Sequence, residues 1–95
     1  MRKKSLERAV LRLADERVKE VQGPYEIVSL AGTLCPDGSH LHISLADRSG
    51  RAYGGHVKNG CMVNTTAEIA IVDLRQLKFS RKRDDRTGFD ELVVE

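Results

Sequence analysis

The chain has 95 residues, a formal net charge of +2, 40% hydrophobic and 32% charged residues, and no tryptophan. That length fits one domain, 1–95, with a core of Val, Ile, Leu and Ala. No apolar run approaches the roughly 20 residues of a membrane helix, and no long apolar stretch follows Met1-Arg2-Lys3-Lys4-Ser5 as in a secretory signal.

Ser5 to Val21 carries two patterns. Leu6, Val10 and Leu13 recur at helical spacing behind a capping serine, while Ala9, Leu11 and Leu13 alternate with Arg8, Val10 and Arg12 as in a strand. Gly23-Pro24 is a break. Tyr25 to Leu34 is apolar on both faces, as in a central strand. Cys35-Pro36-Asp37-Gly38 is a turn, and strands follow on either side of Asp47-Arg48-Ser49-Gly50. Lys58-Asn59-Gly60 is the next turn. Cys61 to Leu74 reads as a long strand, Leu77 to Phe79 as a short one, and Leu92 to Val94 as a closing strand after Thr87-Gly88. Turns this short join antiparallel neighbours. Cys35 and Cys61 lack metal-ligand spacing, and a reducing compartment is the default: the cytoplasm, or the nucleus in a eukaryote.

All three histidines fall between Ser39 and His56. His40 and His42 are two apart, so on a strand they share a face. A hairpin registered with Ala46 opposite Ala52 sets His42 across from His56, where opposed Cβ atoms are about 4.5–5.5 Å apart. Three neutral imidazoles and a water make a tetrahedral zinc site with an open position. The plainer alternative is three surface or interface histidines on a hairpin. A one-residue slip would send His56 to the other face.

Glu26 and Glu68 each interrupt an apolar run. They read either as a general base or further metal ligand, or as acids facing solvent or an arginine such as Arg12. Lys78, Arg81, Lys82, Arg83 and Arg86 form a basic cluster diluted by Asp84 and Asp85, either a solvated face or a site for DNA phosphates. No nucleophile signature or glycine-rich phosphate loop is present.

Tyr25-Glu26-Ile27-Val28-Ser29-Leu30-Ala31-Gly32-Thr33, His40-Leu41-His42-Ile43-Ser44, Gly54-Gly55-His56, Thr66-Ala67-Glu68, Phe79, Arg81 and Thr87-Gly88-Phe89 together resemble the PPC (plants and prokaryotes conserved) domain over about residues 9–94. The resemblance implies a β-dominated α+β fold with a mostly antiparallel sheet, assembled as a homotrimer. It also implies a zinc site at His40, His42 and His56, as in free-standing prokaryotic-type members, and a strand over Arg8 to Ala14. Members normally carry a strand, a helix and a further strand ahead of that segment, so the chain resembles a member shortened at its N-terminus.

Three functions follow as expectations. The first is a self-associating binding module with zinc on the three histidines, rather than an enzyme. The second is a DNA-associated regulator using Lys78 to Arg86. The third is a metal-dependent enzyme acting on a small molecule.

Overall fold

The computed structural model describes residues 5–95. It contains β1 (Ser5–Arg12), β2 (Val18–Cys35), β3 (Gly38–Ala46), β4 (Ala52–Val57), β5 (Met62–Val63), β6 (Phe79–Asp84) and β7 (Phe89–Val94). β1 through β5 form one sheet in the order β2-β3-β4-β1-β5, and β6 and β7 form a separate hairpin. All pairings are antiparallel. A further β2–β1 pairing closes the order on itself. The ring leaves few unpaired edges, which suits a chain with so little core.

β1 holds the ring together. It pairs with β2 along one edge, and with β4 and β5 along the other. Its alternation buries Leu6, Ala9 and Leu11 against Tyr25, Ile43 and Leu45. This settles the ambiguity between Ser5 and Val21. As a strand, β1 buries its alternate apolar residues in the core and finds backbone partners along both edges. Tyr25 stacks edge-on against Tyr53 at 5.5 Å.

Three expectations require correction. No helix occurs among the described residues, so the α+β expectation reduces to a β-dominated fold with antiparallel sheets. It follows that no helix there is long and apolar enough to cross a membrane. Gly23-Pro24 is not a break, because β2 runs through it from β1 to β3, with a register shift opposite Leu6 and Arg8. A Cβ at Gly23 would run into the Leu6 carbonyl oxygen, so glycine is what lets β2 cross β1 this closely. Finally, Cys61 to Leu74 is a strand only at Met62 and Val63, which pair with β1. Beyond them both edges of β1 are occupied, and the alternating pattern of Ile69, Ile71, Val72 and Leu74 meets no ladder. Those side chains stay exposed, Val72 at 82%. The segment instead borders an apolar groove of about 940 Å³ beside the second half of β2, floored by Leu30, Leu34 and Leu41.

The β6–β7 hairpin turns through Asp84 to Gly88, where Gly88 takes a φ of 80° and donates its N–H to the Asp84 carbonyl at 2.8 Å. It docks on the sheet through Arg81, whose backbone N–H donates to Asp37 Oδ2 and whose Nη2 donates to Thr33 Oγ1, both at 2.9 Å.

Candidate metal centre

The site is built by cross-strand register. In β3–β4, Ala46 lies opposite Ala52 and His42 opposite His56, as the sequence predicts. Next door, Ala31 of β2 faces His42 and Thr33 faces His40, while Arg12 of β1 faces His56. Ala31, His42, His56 and Arg12 therefore form one row across four strands, on the face opposite buried Ile43 and Leu11. Gly55 lets this row close. A Cβ there would lie 2.8 Å from the Arg12 carbonyl oxygen and 3.2 Å from Leu11 Cβ, so only glycine lets β4 approach β1 and set His56 beside Arg12.

The three imidazoles converge. His40, His42 and His56 each offer a nitrogen within 4.8 Å of the others, and no Asp or Glu joins this cluster among the described residues. The Nε2 atoms of His40 and His42 are 3.2 Å apart. Ring centroids are 4.7 Å apart for His40–His56 and 5.4 Å for His42–His56, with both pairs nearly perpendicular. Tetrahedral zinc with bonds of about 2.0–2.1 Å needs nitrogens about 3.3–3.4 Å apart. The His40–His42 pair is close to that spacing, and all three lie within 4.8 Å of one another. His56 Nδ1 is buried with no hydrogen-bond partner. A buried nitrogen left unpaired costs free energy, and metal coordination is one way to satisfy it. The residues fit the ion.

The electrostatics favour the neutral form of His40 and His56, the form a metal donor needs. Burial pushes the His40 imidazole below its usual range, helped by the charges of Arg81, His42 and Arg12. Burial does the same to His56, with His40, Arg12, His42 and Lys58 adding to it. His42 is the exposed member, while His40 and His56 are half-buried.

A family model, the Plants and Prokaryotes Conserved (PCC) domain, matches residues 5–75. This is the PPC domain family. The chain belongs to it. Two curated relatives, both described as "Bifunctional protein GlmU" from Synechococcus strains JA-3-3Ab and JA-2-3B'a(2-13), are 48% and 46% identical over 96% of this chain. The chain spans 15% of their length. A solved structure of a hypothetical protein from Salmonella enterica superposes with a TM-score of 0.93 at 39% identity, over 98% of this chain and 68% of that one.

In this PCC domain Arg81 stands beside His40, whereas the other predicted residues do not gather at the histidines. Glu26 is exposed opposite Ser5 and Ala46, midway along β2 and away from Thr33 and His40. Glu68 is exposed in the irregular segment after β5. The basic cluster divides: Lys82 pairs with Glu95 at 3.2 Å and Arg86 with Asp84 at 2.8 Å, while Arg81 turns inward to Thr33. Arg12, expected as a partner for an acid, donates to the Leu13 carbonyl and stands beside His56. Its role was hidden in the sequence, since it depends on which residue of β4 lies opposite it.

Proposed function

We propose that the chain is a self-associating binding module that holds one zinc ion on His40, His42 and His56. The convergence of three nitrogens within 4.8 Å carries the metal part of this reading. The hairpin presents His42 and His56 as a directly opposed pair, and β3 alternation brings His40 to the same face. Partial burial and neighbouring cations disfavour protonation, so His40 and His56 are ready donors at neutral pH. Zinc bound there would keep a fourth position for an exchangeable ligand and act on it as a Lewis acid.

Self-association has independent support in surface area. The structure exposes 7419 Å², whereas a monomer of 10.6 kDa typically exposes about 5,500 Å². The radius of gyration is 15.0 Å, against about 12.4 Å for a compact domain of this length. The excess of about 1,900 Å² is enough for two standard interface faces of about 800 Å² each. That matches a ring of three copies with two neighbours per chain. The exposed side chains of Ile69, Ile71, Val72 and Leu74 supply the apolar area.

Metal content, measured by elemental analysis on wild type and His42→Ala, tests the zinc site. The expected result is about one zinc per wild-type chain and less than about a tenth of that in the variant, since a two-histidine site binds far more weakly. Equal and negligible zinc in both overturns the site.

A further inference from the structure

We propose that the histidine site takes a small oxyanion, bound at the open position of its metal ion and held by the guanidiniums of Arg12 and Arg81. This rests on His40, His42 and His56 being metal ligands.

The first ground is charge. Three neutral imidazoles leave the two positive charges of a divalent ion uncompensated, and no carboxylate joins the cluster among the described residues. In a half-buried setting that charge favours an anionic fourth ligand over a neutral one. The second ground is the surroundings. Arg12 lies directly across from His56, and Arg81 reaches the same face by donating to Thr33, the cross-strand partner of His40. Neither arginine makes an ion pair among the described residues. Arg12 bonds the Leu13 carbonyl, and the Arg81 side chain bonds a hydroxyl, so both keep donors free. A guanidinium fork matches a carboxylate or phosphate edge. Lys58 adds a third cation near His56.

The third ground is room. A cleft of about 190 Å³ opens beside His40 and is lined by Asp37, Gly38, Ser39, Arg81 and Asp90. The cleft reaches His40 and Arg81, and its volume admits a small anion from the His40 side of the cluster. Of its two acids, Asp37 already accepts the Arg81 backbone N–H, and Asp90 is exposed. Glu91 also acts on His40, so the positive charge that a divalent ion brings is what favours an anion there, and anion binding follows metal loading.

The probe is the cobalt(II)-loaded protein, whose visible spectrum reports the fourth ligand. Acetate and inorganic phosphate are titrated in separate arms, with neutral imidazole as the control ligand. Expected is a saturable spectral change of the cobalt band with either anion. Arg12→Gln is expected to weaken it about tenfold, the loss of one charge-assisted hydrogen bond, and Arg81→Gln by a similar factor. Imidazole affinity is expected to stay within about twofold, because it carries no charge for the arginines to hold. Arg12→Gln carries the decision if Arg81→Gln loosens the hairpin. Failure to take up cobalt overturns the metal site and this proposal with it. Cobalt uptake with anion affinity unchanged in Arg12→Gln, or with imidazole weakened equally, overturns the oxyanion site alone.

Discussion

Gly55→Ala probes the link between packing and site most directly. The new methyl would meet the Arg12 carbonyl oxygen at 2.8 Å and Leu11 Cβ at 3.2 Å, both on β1. Neither neighbour is the loose end of a long side chain, and Leu11 is a buried core residue. The strain is relieved by moving β4 away from β1. That ladder has only two residue pairs, Leu11–Val57 and Arg12–His56. Overpacking of this kind costs about 1–3 kcal/mol. For a domain of this size, about 2 kcal/mol lowers the melting temperature by about 8–16 °C. The same displacement carries His56 away from His40 and His42, and metal affinity is expected to fall about 10–100-fold, as for other losses of ligand orientation. Thermal unfolding at fixed protein concentration and competition with a zinc chelator read the two effects. A variant with unchanged melting temperature and unchanged zinc affinity would refute the claim that close approach of β4 to β1 positions His56.

Two further outcomes are expected. In the metal-free protein, His40 and His56 have pKa values below that of an unfolded histidine, chiefly through burial. The unfolded chain therefore binds more protons, and stability falls as pH drops below about 6.5, the unfolded value. A urea midpoint that is the same at pH 7.5 and 5.5 would contradict the burial of these rings. Val72→Asp places a charge on a side chain that is 82% exposed in the single chain. It should leave the secondary structure unchanged by circular dichroism yet shift the sedimenting species toward monomer. Unaltered assembly would remove Val72 from the interface.

The histidine hairpin was legible because its information is local. Turn chemistry at Asp47-Arg48-Ser49-Gly50 sets the register, and period-two alternation sends Ile43 and Leu45 inward and His42 outward. β1 was ambiguous because Leu6, Val10 and Leu13 satisfy a helical period as well, and only long-range pairing with both β2 and β4 decides between them. The segment after Val63 failed for the complementary reason. Its alternation is strand-like, but the edges of β1 are already filled, and the segment borders the open side of β2 beyond Glu26 across a groove without forming a ladder. Arg12 and Arg81 reach the site from strands far apart in the chain, by register and by a hydrogen bond to Thr33, neither of which a spacing pattern encodes.

Arg81 also has a mechanical role. Among the described residues, the side-chain hydrogen bonds tying the β6–β7 hairpin to the main sheet both involve this one amino acid. The hairpin is thus hinged at the rim of the histidine cluster. Tilting it, whether by a neighbouring copy or by a covalent extension of the chain, would withdraw a positive charge from beside His40, so events at the periphery are felt where the imidazoles meet.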